Sequence, residues 1–377
     1  MKKTVVILIL VIIGIFTIFT LLYAFKSVYI TKNPTYDIEV YTNAHMSDYA
    51  KDVVEDIEID TNTLGSFKII YESSSGPKRV TVNIVDTTAP TVMIGNNYNH
   101  IIGTNFTIKT DTVCVDNYDR APKCEVIGNY DLDKLGTYKV KYRAEDSSGN
   151  VFEKTFNLNV VEKKDTKPVY MPFKEVKERV NKAGGKLLID VSKWESYIDW
   201  KTVKESGVDY AFIRLGTQKY STDELILDEF FERNYREAKA HGVKVGVYFF
   251  TYAKNKEEVL KHADFVLDHL KGKDLELGIA LDWECWDLFN NMSISIHDLN
   301  DLAQAFIDKV EDKGYKSLLY SSKNYLETVW DVDTDIWLAH YTKETNYKGK
   351  KLIWQFDDKA LVPGISSDVD VNVYYGE

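Results

Sequence analysis

Asp282 and Glu284 stand two residues apart at the end of the apolar run Leu277-Gly278-Ile279-Ala280-Leu281. Residues so spaced on a strand point to one face, with Cα atoms about 7 Å apart, so their carboxyls converge. Converging carboxyls are what glycoside hydrolysis requires: one protonates the leaving oxygen, the other handles the developing positive charge. A neighbouring carboxylate and an apolar wall raise one pKa, which keeps that group protonated near neutral pH. Trp283 and Trp286 bracket the pair. A solvated acidic strand end is the plainer reading, but two in-phase acids interrupting an apolar strand are costly unless used. Two more acids share the pattern: Asp190 closes Leu187-Leu188-Ile189, and Asp370 lies within Val369-Asp370-Val371-Asn372.

Positioning these acids falls to the segment from about Lys186 onward, where strand and helix patterns alternate. Strands are expected at 186–191, 210–215, 243–251, 277–283, 317–320, 336–341, 351–356 and 369–374. Helices are expected at 224–241, 256–270 and 296–313, with shorter ones at 200–205 and 324–329. Asn255 followed by Glu258 reads as a capping box opening the second helix. Eight strands with helices between the early ones predict an irregular TIM-like (β/α)5(β)3 barrel rather than an open sheet. Its active site belongs at the carboxyl ends of the strands.

The preceding residues read differently. From about Ser27 to Val161, short runs rich in β-branched and aromatic residues alternate with turn signals such as Ser75-Gly76-Pro77 and Ser148-Gly149-Asn150. Leu64-Gly65-Ser66-Phe67-Lys68-Ile69-Ile70-Tyr71 recurs as Leu135-Gly136-Thr137-Tyr138-Lys139-Val140-Lys141-Tyr142, each copy followed by a closing strand. Two small all-β sandwiches are expected, at 27–87 and 88–162, joined by a linker at 163–185 to the barrel domain at 186–377. No catalytic residue types cluster in the repeats, so they read as spacers. Cys114 and Cys124 read as a local disulfide, with two free thiols as the plainer alternative, and Cys285 reads as a small core residue.

Lys2 and Lys3 precede an uninterrupted apolar run from Thr4 to Phe25, long enough to cross a bilayer. Residues 1–26 therefore read as a transmembrane signal anchor that leaves the remainder on the extracellular, cell-wall side of the cell membrane. A cleaved signal peptide is the competing reading, and the sequence around Ala24 lacks the small-x-small pattern it needs. The net charge of −11 excludes nucleic acid as a partner. It also supplies no pull toward an anionic wall polymer. The histidines lack paired-ligand spacing, and Asp331-x-Asp333-x-Asp335 lacks the Gly and final Glu of a calcium loop, so no metal or cofactor is expected.

Seven motifs, in order, complete the pattern: Ile189-Asp190-Val191-Ser192, Phe212-Ile213-Arg214-Leu215-Gly216, Gly246-Val247-Tyr248, Leu281-Asp282-Trp283-Glu284, Trp337-Leu338-Ala339-His340-Tyr341, Trp354-Gln355-Phe356 and Val369-Asp370-Val371-Asn372. In this order they resemble glycoside hydrolase family 25, the Chalaropsis-type lysozymes or N,O-diacetylmuramidases. The likeness covers about 186–375. The second repeat, with Gly136-Thr137-Tyr138 and Ala144-Glu145-Asp146-Ser147-Ser148-Gly149-Asn150, resembles bacterial Ig-like domains.

The family resemblance implies a flattened barrel with five helices and three bare final strands. It also implies cleavage of the β-1,4 bond between N-acetylmuramic acid and N-acetylglucosamine of peptidoglycan. Carried over by motif, Glu284 is the general acid. Asp282 stabilises the charged intermediate or orients the substrate acetamido group, and Asp190 and Asp370 complete the cluster. Arg214, Tyr248, Tyr320, Tyr341 and Trp354 are substrate-binding candidates. For Arg214 an ion pair with the cluster is an equal alternative, and Tyr341 is equally read as barrel packing. Many relatives carry His after Gly-x-Tyr, where this chain has Phe249. Two other functions fit the same residues: a non-catalytic wall-binding scaffold on a degenerate barrel, and a glycosidase of different bond specificity.

Overall fold

The computed structural model describes residues 33–165 and 167–376. The expected anchor at 1–26 lies outside these. Among the described residues no helix is long and apolar enough to cross a membrane. The described residues divide into two compact units, with the boundary between 87 and 88.

In the first unit, Gly65–Ser73 and Gly76–Val85 form an antiparallel hairpin, and Thr35–Glu39 pairs parallel with the second of these strands. Alternate residues Val80, Val82 and Ile84 are buried with Ile38 and Tyr71, as the two-residue strand period requires. The beginning of the second unit repeats this plan. Gly136–Glu145 and Val151–Val161 are antiparallel, Asn97–Ile101 lies parallel to the latter, and Lys123–Ile127 extends the sheet. The second layer is smaller than two full sandwiches would have. It consists of one two-residue pairing in each case, Ala44–His45 with Glu58–Ile59 and Thr91–Val92 with Cys114–Val115. The intervening segments are polar and turn-rich, and form single helical turns at Met46–Tyr49 and Ile108–Asp111 instead of long strands. Cys114 and Cys124 are disulfide-bonded, while Cys285 is free and buried.

The expected linker is not a free connection. Phe173–Ala183 forms a helix (α1) that buries Val176 and Val180 in the core of the following domain and ends at Gly184 in the left-handed conformation. Before it, Met171 bridges to Ala360. Only a helix's amphipathic stripe was needed to bind it there, and Val176 and Val180 supply one.

Eight strands then close a ring: β1 (Lys186–Val191), β2 (Tyr210–Gln218), β3 (Lys244–Phe250), β4 (Gly278–Asp282), β5 (Ser317–Ser322), β6 (Asp335–Ala339), β7 (Ile353–Ala360) and β8 (Val369–Tyr374). β1 through β7 run parallel in chain order, and β8 runs antiparallel to both β7 and β1. The helices between strands are α2 (Trp200–Glu205), α3 (Phe231–Ala240), α4 (Lys256–His269), α5 (Trp286–Met292), α6 (Ile296–Glu311) and α7 (Lys323–Leu326).

Three expectations change in detail. The helix expected at 224–241 begins only at Phe231, because Leu225–Leu227 forms a short strand against the end of β2. The strand expected to reach Trp283 stops at Asp282. α5 was not foreseen. Gly278 opens β4 at φ 98°, where a Cβ would lie 2.4 Å from the Lys316 carbonyl oxygen. A side chain there would push β4 off β5 and displace the acids that follow.

Candidate active site

Inside the ring, Leu188, Phe212, Ala280, Leu318, Trp337 and Ile353 form a continuous apolar layer. Two residues farther along five of these six strands the chemistry changes, β6 carrying the apolar Ala339 there. Asp190, Arg214, Asp282, Tyr320 and Gln355 stand above that layer, on the same face by strand alternation. Because β8 is reversed, Asp370 reaches this end from the start of its strand, directly opposite Asp190 in the pairing.

Asp190 is buried, and its Oδ2 accepts hydrogen bonds from Asn372 Nδ2 at 2.7 Å and Gln355 Nε2 at 3.1 Å. Burial raises its pKa, and the bonds from Asn372, Gln355 and Asp370 oppose that rise. Asp370 is pushed up to about 10 by burial, by the charge on Asp190 and by the hydrogen bond between them. It therefore holds a proton at neutral pH and donates it to Asp190. The network continues outward, with Gln355 Oε1 accepting from Tyr320 at 2.7 Å and from Tyr341 at 2.9 Å. On the inner side Asn372 Oδ1 accepts from the Trp337 indole at 2.8 Å.

Glu284 follows β4 in the short connection to α5 and is half-buried. Burial, then the charge on Asp190, raises it to about 7. No hydrogen bond to its carboxyl is found among the described residues, so its proton is not committed elsewhere. Asp282 is raised well above the usual range by burial, then by the charges of Glu284 and Asp190, against the lowering effect of Arg214. Its Oδ1 is buried with no hydrogen-bond partner among the described residues. An unpaired acceptor beside a carboxyl poised near neutrality is the arrangement that acid catalysis on a substrate with an N–H group can use.

Residues 189–365 match the family described as Glycosyl hydrolases family 25. The C-terminal domain belongs to that family. It is 27% identical over 199 residues to YegX, an uncharacterized protein of Escherichia coli K12, covering 50% of this chain and 69% of that one. It is 26% identical over 192 residues to the autolytic lysozyme of Clostridium acetobutylicum, covering 49% of this chain and 55% of that one. The match thus spans about half the length of that lysozyme. Among solved structures, a family 25 glycosyl hydrolase from Bacillus anthracis aligns at 22% identity and a TM-score of 0.43, covering 51% of this chain and 89% of the other.

The remaining candidates of this glycosyl hydrolase domain divide. Tyr248 projects among the acids with no hydrogen bond to its hydroxyl among the described residues, its pKa raised by burial and then by Asp190. Tyr341 is half exposed at the mouth. Tyr320 is almost fully buried, with its hydroxyl tied to Gln355. Arg214 is ion-paired with Asp228, at 2.7 Å, rather than with the acid cluster. Asp228 also accepts the backbone N–H groups of Lys193 and Phe230, both at 3.0 Å. Trp354 must be withdrawn as a substrate-binding candidate. It alternates with the inward Ile353 and Gln355, packs in the outer apolar layer, and donates its indole N–H to the His340 carbonyl.

Gln355, Asn372 and Asp228 were missed as site residues. Gln355 and Asn372 had a readable signal, since each is a polar side chain in phase with inward positions of an apolar strand. Asp228 had none, because its partner lies on another strand.

Proposed function

We propose that the chain is a membrane-anchored, outward-facing hydrolase that cleaves the β-1,4 bond between N-acetylmuramic acid and N-acetylglucosamine in peptidoglycan. The observation that carries this reading is the Glu284 carboxyl. Its pKa is raised to about 7 and, among the described residues, no hydrogen bond engages it at the mouth of the ring, so it retains a transferable proton. The proton goes to the glycosidic oxygen, which takes the electron pair of the breaking C–O bond. Asp282 Oδ1 accepts the substrate's acetamido N–H and so orients that group, while water bonds to the anomeric carbon and its proton returns to the Glu284 carboxylate. Asp190, held by three donors, and neutral Asp370 fix the local field.

The family match and the lysozyme named among the relatives support this bond specificity. The closed ring with five helix-bearing connections supports the irregular TIM-like reading, and the repeated hairpin plan supports Ig-like domains at 27–87 and 88–162. The apolar run from Thr4 to Phe25 is the basis for the anchor. Tethering raises local substrate concentration without tight binding, which offsets the unfavourable charge of −11.

The test is digestion of purified peptidoglycan followed by mass spectrometry of the fragments. Reducing N-acetylmuramic acid ends, lost in Glu284→Gln, are expected. Reducing N-acetylglucosamine ends would assign another bond, and no fragments would leave a wall-binding scaffold.

A further inference from the structure

The domain at 88–162 reads from sequence as a spacer, yet it is built into the barrel at the segment that carries Glu284. α5 begins two residues after Glu284, and its Asn290 faces the small domain. Asn290 Oδ1 accepts the N–H of Cys114 at 2.9 Å. Asn290 Nδ2 donates to the carbonyls of Lys109, at 2.7 Å, and Thr112, at 2.9 Å. One side chain thus satisfies three backbone groups of the other domain. Cys114 is in turn bonded through sulfur to Cys124, on the edge strand of that domain's main sheet.

The next element is held from the same direction. The first N–H groups of a helix lack partners within the helix and must find them outside. In α6 the Ile296 N–H donates to the Asp116 carbonyl at 2.8 Å, and the His297 N–H donates to the Asn117 carbonyl at 3.4 Å. Asp298, in the first turn of α6, receives both Nε and Nη2 of Arg120, at 2.7 and 2.8 Å. Beneath these bonds Val113 and Val115 join the same continuous apolar core as Phe289 and Ile294. A spacer that merely touches the barrel would not share its core or complete its helix ends.

We propose that the disulfide-bearing domain is a fixed part of the catalytic unit, and that Asn290 is the positioning residue through which it holds the Glu284 segment. This rests on Glu284 as the acid. Without the clamp, α5 is held only by the packing of Trp286 and Phe289, and Glu284 no longer keeps one position relative to Asp282.

The experiment compares wild type, Asn290→Ala and Arg120→Ala in the same chain. Asn290→Ala is expected to lower kcat about tenfold or more with KM little changed, since small misplacements of a catalytic group are costly. The alkaline limb of its pH profile shifts to lower pH as water reaches Glu284, and amide exchange accelerates across 284–292. Arg120→Ala, at a side chain 63% exposed, gives a smaller effect in the same direction and faster exchange at 292–298. It serves as the reading if Asn290→Ala does not fold. Wild-type kcat, pH profile and exchange rates in these variants would overturn the proposal and restore the spacer. Glu284→Gln is run in parallel: if it remained active the acid assignment would fail, while amide exchange would still report whether the domain holds the segment.

Discussion

Asp190 and Asp370 are direct partners across an antiparallel strand pair, and one of the two keeps its proton so that the other can be a carboxylate. Two ionised carboxylates at this separation would repel strongly in a buried site. The neutral member acts as a donor, as an amide would.

Replacing that donor by an amide tests the assignment. Unfolded, Asp370 ionises at about 3.9; folded, it keeps its proton up to about 10. Folding therefore binds a proton across this window, and the stability contributed by Asp370 falls as pH rises through it. Asp370→Asn removes that dependence and keeps an N–H for Asp190. Its melting temperature should exceed that of wild type at pH 8, by a margin that shrinks toward pH 5. Asp370→Ala, with no donor, should lose more activity than Asp370→Asn. Parallel melting curves at both pH values would contradict the neutral assignment.

Glu284 sets an alkaline limit on turnover. As the acid it must be protonated, and with a pKa of about 7 the rate on wall fragments should fall about tenfold for each unit above that value. Rate measured from pH 4 to 9 checks this. A rate still level at pH 9 would exclude Glu284 from the role.

Arg214 and Asp228 form a nearly buried pair, with side chains 13% and 1% exposed. Removing one partner leaves an uncompensated charge, which costs about 3–5 kcal/mol. Asp228→Ala should show that loss in denaturant unfolding. An Arg214→Met, Asp228→Leu double variant should recover much of the stability.

Tyr341 and Trp354 separate substrate contact from packing. Trp354→Phe loses an indole hydrogen bond in the outer layer and should lower stability by about 1 kcal/mol without changing KM. Tyr341→Ala, at the exposed mouth, should raise KM several-fold while stability changes little. Steady-state kinetics with melting curves distinguishes the two.

What the sequence disclosed was set by which physical signals are strong. Charges that end apolar strands are costly to bury, so Asp190, Asp282, Glu284 and Asp370 stood out. Gln355 and Asn372 are neutral, and their polarity is a weaker mark within the same strands. The reversal of β8 left no trace, because alternation reads the same in either direction. α5 escaped notice because Trp286-Asp287-Leu288-Phe289-Asn290-Asn291-Met292 is short and contains poor helix formers. The clamp by Asn290 uses backbone groups of a distant segment, a contact that no local pattern encodes.

The reversed final strand also decides where the polypeptide leaves the barrel. Tyr374 pairs with Lys186, so the exit of β8 sits beside the entrance of β1, on the face opposite the acids. A fluorophore or affinity handle joined beyond Tyr374 would trail away from the cleft, and long glycan strands would still have an open approach.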